Sequence, residues 1–442
     1  MRLLLMGQCT LHIGRLEYGN IGNYYIVEPL IRELHRVFPG SEIRTTFQMS
    51  DSFCLRENVV RLPLEIYYSW NDRDLSNALM EVGISRIFKE TGKLLYRTPF
   101  IEEVLSADLI IDFSGDMWGD NADLAGENRF IVGLCKDYVP MLLGKDVVML
   151  AGSPGPFGNE DFKSFAKKVY SGFRLVTTRE RLSKALLEKE GFDLRNTFDL
   201  ACPSFLFDAT SESELRRLDE IRHIFENTKP VIGFFLCGWN FKQGPFDRWP
   251  RGDDEYEPFV KTIEFIIKTI GAKVCLASHS NGFQRTHNGF QLTHGRDYPI
   301  VKQLQRILEN KGFAEHICVL DGIYLPHQMK AIIGKFSMVV SGRLHGAVAS
   351  LSQCIPTVII DYGHEPKAHK LRGFADLLNV DDFVADPSNT TDLVSKIGLC
   401  WEKREEIKIF LENKIPSVKE LARKNFEILR ELLNNNLNEA SV

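Results

Sequence analysis

The chain has 442 residues, 44% hydrophobic and 26% charged, with a formal net charge of -5. That length exceeds what a single hydrophobic core grows to fill, so two domains are expected, and the composition excludes a disordered or fibrous chain. The acidic balance disfavours nucleic acid as a partner and gives no global attraction to an anionic membrane, while leaving room for a local basic pocket.

The longest apolar runs, such as Val147 to Ala151 and Thr357 to Ile360, fall far short of the ~20 residues that span a bilayer, so no integral membrane segment is expected. The opening MRLLLMGQC reads as a first buried strand rather than a secretory signal. Nine cysteines are scattered without any CxxC, which argues for reduced thiols in a cytoplasmic protein rather than a disulfide framework or a zinc site. No set of His, Cys and carboxylates stands at metal-ligand spacing, so neither a metal nor a cofactor is expected. His287 and His294 fall in a polar stretch that reads as a solvated loop.

Arg2 to Met6 predicts a strand, followed by a glycine-rich loop with Gly14, Gly19 and Gly22, and then a helix from Tyr24 to Val37 with Ile26, Leu30, Ile31 and Leu34 on one face. Gly19-Asn20-Ile21-Gly22-Asn23 thus sits where a strand hands over to a helix, either as the ligand-facing turn of a doubly wound sheet or simply as a tight connection. It lacks GxGxxG spacing, and no acidic residue closes the second strand, Ser41 to Thr46, as a dinucleotide site requires. Asp51 to Gly92 has no clean period and reads as an irregular insertion or lid.

Ala107 to Phe113 predicts a strand that exits into Ser114-Gly115-Asp116-Met117-Trp118. There Asp116 either accepts from a ligand hydroxyl or holds backbone N–H groups of a turn. Asp146 to Ala151 opens into the rigid loop Gly152 to Gly158, and Leu175 to Thr178 ends at Arg179-Glu180-Arg181-Leu182-Ser183. Arg179 at a helix start is either an anion ligand or half of an ion pair. Phe198 to Ala201 closes the unit, and Thr210 to Lys229 reads as a charged helical linker.

The second half repeats the alternation. Strands at Val231 to Cys237, Ala272 to Ala277 and His316 to Leu320 are separated by helices at Glu257 to Ile270 and Asp297 to Asn310. The loop after Cys237 carries Trp239, Phe241, Phe246 and Trp249, and His279 lies at a strand exit, facing a ligand or serving structure. Phe336 to Val340 is followed by Ser341-Gly342-Arg343-Leu344-His345-Gly346, a helix-compatible run to Cys354, and a strand at Thr357 to Ile360. Apolar strands without alternation around a short crossover helix are the pattern of a parallel sheet covered on both faces. The turn therefore lies at the ligand-binding edge, where a helix N-terminus with Arg343 and His345 suits an anion; a solvated Arg and a locally satisfied His are the plainer alternative. Glu402 to Leu433 reads as closing helices with a break at Pro416.

The run SGRLHGAVASLSQCIPTVIIDY with Lys370-Leu371-Arg372-Gly373-Phe374 resembles the polysaccharide pyruvyl transferase family. Gly19 to Asn23 resembles its glycine-asparagine motif, Gly152 to Phe157 its loop ending in Gly-Pro, and Arg179 to Ser183 its arginine-acid-x-x-serine motif. The resemblance implies two Rossmann-like lobes of parallel sheet with flanking helices, the glycosyltransferase B type, around a central cleft. The expected division is 1–212 as the acceptor-side lobe, 213–400 as the donor-side lobe and 401–442 as closing helices. The implied reaction moves a pyruvyl group from phosphoenolpyruvate to a sugar of a polysaccharide or cell-wall glycan, forming a ketal. The acceptor would be a glycan or lipid-linked saccharide, and a homo-oligomer is compatible with the reading. Arg179, Arg343, His345 and Lys370 would grip the donor's phosphate and carboxylate, with Ser341 beside them. Asn20, Asn23, Asp116 and Trp118 would face the acceptor. His345 is the first choice for proton transfer, since its ordinary pKa lies near working pH, and Asp116 for orienting a hydroxyl. Asn23 stands where the family usually has an acidic residue, and Gly115-Asp116 where it usually has two glycines. Other functions carried by the same fold are a nucleotide-sugar-dependent glycosyltransferase and a non-catalytic glycan- or phosphate-binding protein.

Overall fold

The computed structural model describes residues 1–8, 17, 19–215, 219–226, 229–242, 250–286, 289–362 and 368–439. Gly14, Phe246, Trp249 and His287 lie outside the described residues. The chain divides into two compact units, the first formed by Met1–Leu16, Glu28–Pro203 and Leu421–Val442 and the second by Glu17–Val27 and Ser204–Glu420.

In the first unit the strands are β1 (Arg2–Met6), β2 (Glu42–Thr45), β3 (Val59–Arg61), β4 (Leu109–Asp112), β5 (Val147–Gly152), β6 (Leu175–Thr178) and β7 (Thr197–Asp199). They form one parallel seven-stranded sheet in the order β3-β2-β1-β4-β5-β6-β7. In the second unit β8 (Val231–Phe235) and β9 (Lys273–Ala277) are followed by an antiparallel ribbon, β10 (Asn281–Thr286) with β11 (Gly289–His294). Then come β12 (Ile317–Val319), β13 (Met338–Ser341), β14 (Thr357–Ile360) and β15 (Val384–Ala385), completing a parallel six-stranded sheet in the order β12-β9-β8-β13-β14-β15. Every residue of β4, β5, β8, β13 and β14 is buried, as expected when helices cover both faces of a parallel sheet. Strand order reverses between β1 and β4 in one sheet and between β8 and β13 in the other. Open α/β sheets bind ligands at the carboxyl ends beside such reversals, so the turns after β4 and β13 are the first places to look.

Several expectations are corrected by the structure. Asp51 to Gly92 is no irregular lid: it holds a helix at Asp51–Arg56, the edge strand β3 and a long helix at Asp74–Thr91. The long helix is hard to read because its inward face carries Asp74, Glu81 and Ser85 beside Ala78 and Val82. Glu81 is matched there by the buried Lys136, 2.7 Å away, and such pairing is invisible to an apolar period. His294 lies in the β10–β11 ribbon, stacked 3.6 Å from the Tyr298 ring, rather than in a loop. The closing helix Arg404–Glu439 runs through Pro416 without a break. Leu411, Ile415, Val418, Ala422, Phe426 and Leu429 are all buried along one stripe, and this packing outweighs the one backbone bond that proline removes.

The unit boundary falls near Pro203 rather than at 212, because Phe205 stacks on Phe374 and Phe207 on Tyr25, all within the second unit. Glu17–Val27, and with it Asn20 and Asn23, belongs to the second unit. The helix Arg404–Glu439 likewise changes unit at Leu421, beyond which Asn425 accepts from Thr177 Oγ1 at 2.6 Å and donates to the Ala201 carbonyl at 2.9 Å.

Candidate functional site

In the second unit the turn after β13 leads into the helix Leu344–Leu351. Ser341 shapes this turn: its Oγ accepts from the Arg343 N–H at 3.2 Å and donates to the Arg343 carbonyl at 2.8 Å. Its hydroxyl is fully buried and engaged, so Ser341 sets the turn rather than contacting a donor. Gly342 is required by its surroundings, since a Cβ there would stand 1.9 Å from Asn240 Oδ1. Arg343 donates from Nε and Nη2 to the two oxygens of Asp297, at 2.8 and 2.5 Å. Asp297 is fully buried at the start of the helix Tyr298–Asn310. Burial works against the guanidinium's charge and Asp297 more than offsets it, so Arg343 stays cationic, oriented by a two-point bond that leaves Nη1 outside the pair.

His345 meets the other predicted turn of the same unit. Asn20 starts the helix Ile21–Val37, its Oδ1 accepting from the Gly22 N–H at 3.1 Å while its Nδ2 donates to Asn23 Oδ1 at 3.2 Å. Asn23 is thereby drawn into the helix cap. Gly22 lies directly against the imidazole: a Cβ at this position would be 2.6 Å from His345 Nδ1. The glycine-asparagine loop and the Ser-Gly-Arg-Leu-His turn, about three hundred residues apart in sequence, thus form one structure in which the N-termini of two helices flank a histidine. Phe374 stands 6.5 Å from the His345 ring, ring centre to ring centre, and Lys370 precedes it by one turn on the helix Ala368–Leu378, with its Nζ 5.9 Å from the Tyr362 ring.

His279, at the exit of β9, backs this arrangement from inside. It is buried, its ring packs 5.5 Å from Tyr25, and its Cδ2 lies 3.5 Å from where a Cβ on Gly346 would be. Burial and the charge of Arg343 push its pKa down to about 3, so the imidazole is neutral in the physiological range. Among the described residues, His279 Nε2 and the Tyr25 hydroxyl are buried polar atoms with no hydrogen-bond partner. A cavity of about 920 Å³ opens at the carboxyl ends of β8, β14 and β15, lined among others by Asn240, Asp361, Arg372, Asp386 and Lys396. The exit of β13, with Arg343, lies between those of β8 and β14 in the sheet.

The first unit carries a second constellation. Arg179 is buried, with Nε donating to Ser153 Oγ at 2.7 Å and Nη2 3.9 Å from Asp116 Oδ1. Ser153 donates onward to Glu180, at 3.2 Å, and Glu180 caps the helix Arg181–Lys189 by accepting from the Ser183 N–H at 2.9 Å. The arginine-acid-x-x-serine spacing is therefore a cap that holds an arginine in place. Gly115 adopts φ +61°, a left-handed conformation that favours glycine, and its carbonyl accepts from the Ser153 N–H at 3.0 Å. Trp118 does not face an acceptor. It is fully buried among Phe130, Phe157, Tyr170 and Phe173, and its indole N–H donates to Asp137 at 2.9 Å.

Sequence reading passed over Asp297, Ser153 and Tyr25, which orient or back the residues it selected. Asp297 carried a signal, as a carboxylate at a predicted helix start; the other two had none that distinguishes them from ordinary core polar residues. Among the described residues, no group of three or more His, Cys, Asp or Glu is arranged to hold a metal ion.

A family model described as polysaccharide pyruvyl transferase matches residues 20–364. The amylovoran biosynthesis protein AmsJ of Erwinia amylovora is 25% identical over 426 residues, covering 92% of this chain and 94% of that protein. Among solved structures, Anabaena HepE in complex with UDP aligns with a TM-score of 0.58 at 12% identity, over 98% of this chain and 100% of that one. The UDP-GlcNAc 2-epimerase of Methanocaldococcus jannaschii aligns with a TM-score of 0.53 at 13% identity, over 91% and 94%. At such identities the likeness is one of fold, the paired Rossmann-like units of the glycosyltransferase B type.

Proposed function

Because this chain belongs to the polysaccharide pyruvyl transferase family, we propose that it transfers the pyruvyl group of phosphoenolpyruvate to a sugar bearing two neighbouring hydroxyls. The family assigns it to glycan modification in polysaccharide biosynthesis; the donor and the ketal product are our reading. The observation that supports it most is the contact between Gly22 and His345. It assembles a histidine, two helix N-termini and an oriented arginine in one unit, a set of hydrogen-bond donors suited to a small molecule carrying a phosphate and a carboxylate.

In this reading Arg343 and Lys370 bind the donor's anionic groups, and Arg179 is an anion ligand of the first unit. His345 delivers a proton to the methylene carbon of phosphoenolpyruvate. The oxygen of one sugar hydroxyl then bonds to the adjacent carbon and releases its proton, the carbon–oxygen bond to phosphate breaks, and the second hydroxyl closes the ketal with loss of its own proton. Asp116 orients or deprotonates a hydroxyl. Trp118 is excluded from acceptor contact by its burial, and Ser341 acts through the turn.

The test is phosphate release from phosphoenolpyruvate in the presence of bacterial glycan and lipid-linked saccharide fractions, run beside nucleotide sugars. Phosphate release that depends on an acceptor, and that is lost in His345→Ala while the fold is retained, supports the proposal. Turnover of a nucleotide sugar with no use of phosphoenolpyruvate overturns it in favour of glycosyl transfer. Donor binding with no release in any fraction indicates a non-catalytic binding protein.

A further inference from the structure

The helix Asp74–Thr91 buries Asp74, Ala78, Glu81, Val82, Ile84 and Ser85 against the first unit. Its opposite face should be polar in a helix that only covers a core. Instead Leu79, Gly83 and Ile87, spaced one turn apart, run along the outward side with Met80 beside them, and Leu79 is 52% exposed. The chain then turns at Gly92 and comes back along the helix, because Thr98 Oγ1 donates to Glu81 Oε1 at 2.8 Å. That return sets Leu95, 66% exposed, and Tyr96, 60% exposed, alongside the second half of the helix. Both segments therefore leave apolar side chains exposed, Leu79, Met80 and Ile87 on the helix and Leu95 and Tyr96 on the return.

Charge surrounds these side chains asymmetrically. Arg73, Arg86, Lys89, Lys93 and Arg97 are all exposed, and none enters an ion pair among the described residues. The exposed acids of the same stretch are Asp72 and Glu90. In a chain of net charge -5, this is a local excess of unpaired cations around exposed Leu, Ile, Met and Tyr. A second copy of the chain meeting this face across a two-fold axis would bring the same cations together, which is repulsive. An apolar strip rimmed by arginine and lysine is instead complementary to a surface with anionic headgroups over acyl chains.

We propose that the Asp74–Thr91 helix and the Gly92–Arg97 return form a peripheral membrane-docking surface specific for anionic lipid. The apolar side chains enter the boundary between headgroups and acyl chains while the five cations meet lipid phosphates. Attachment of this kind rests on surface charge and shallow apolar burial, so it is reversible and sensitive to salt. Docking of this kind needs nothing from the donor chemistry proposed above.

The test is co-sedimentation of the full chain with vesicles of phosphatidylcholine alone and of phosphatidylcholine mixed with phosphatidylglycerol, at low and high salt. The chain is expected to pellet with the mixed vesicles at low salt and to remain in solution with phosphatidylcholine. Leu79→Glu with Ile87→Glu should abolish pelleting, and Lys89→Glu with Lys93→Glu should weaken it about tenfold or more. These side chains are exposed, so circular dichroism and thermal melting should match the parent. Failure of the parent to bind mixed vesicles, or binding unchanged in both variants, overturns the proposal. So does a concentration-dependent dimer that Leu79→Glu dissociates, which would assign the patch to a second copy.

Discussion

Gly22→Ala tests the packing on which the site rests. The new methyl carbon would lie 2.6 Å from His345 Nδ1 and 2.9 Å from both Cβ and Cγ of the same side chain. Rotation of the imidazole relieves the first overlap but not that with Cβ, which is fixed to the backbone, so one of the two helix starts must shift. Overpacking of this kind costs about 1–3 kcal/mol. Alanine recovers at most about 0.5–1 kcal/mol of helix preference over glycine, leaving a net loss of up to about 2.5 kcal/mol. Urea denaturation reads that loss directly. Displacement of His345 should reduce turnover far more, on the order of 10²-fold for a shift of about an ångström, measured as phosphate release under the proposed reaction. Gly83→Ala is the control, since nothing lies within 4 Å of its would-be Cβ, and it should stabilise by about 0.5–1 kcal/mol. A Gly22→Ala protein as stable as the control and equally active would refute the contact between the two motifs.

Asp297→Ala strips a largely buried guanidinium of its two-point partner and should destabilise by about 3 kcal/mol, the lower end for a broken buried pair because Arg343 keeps some exposure; Asp297→Asn should lose less, and equal urea midpoints for the two would argue against a charge effect. Glu180→Ala removes the cap of the Arg181–Lys189 helix and should cost about 1–2 kcal/mol by the same measurement, with Arg179 losing the fixed geometry of its Ser153 contact. The buried carboxyls of Asp112 and Asp137 are both pushed up, Asp112 by burial to about 7 and Asp137 by burial and the nearby Asp112. Relative to an unfolded Asp of about 3.9, the folded state holds a proton longer, so this stabilisation is present in acid and is lost as pH rises through about 7. Asp137→Asn should flatten the stability profile between those values, and an unchanged slope would contradict it.

Much of the fold was legible because its signals are local. Buried parallel strands read as short unbroken apolar runs, and β5, β13 and β14 lie where such runs predicted them. The helix start after Arg343 and the placing of Arg179 at a strand exit were likewise carried by neighbouring residues. The Asp74–Thr91 helix was not legible, because its inward polar residues find partners such as Lys136 and Thr98 only in three dimensions. Trp118 shows the same limit from the other side: an aromatic residue at a strand exit suits a sugar platform or a core anchor, and only its four ring neighbours decide between them.

By itself the amino-acid sequence determined the alternation of strands and helices, the parallel sheets, and which turns carry cations and hydroxyls. These follow from side-chain period, capping chemistry and backbone preference, all short-range. Only the tertiary structure decided that Glu17–Val27 joins the second unit, that Gly22 abuts His345, and that Asp297 orients Arg343. Such pairings depend on long-range packing and on which buried charge lies within reach of which other, and neither is a property of any local stretch.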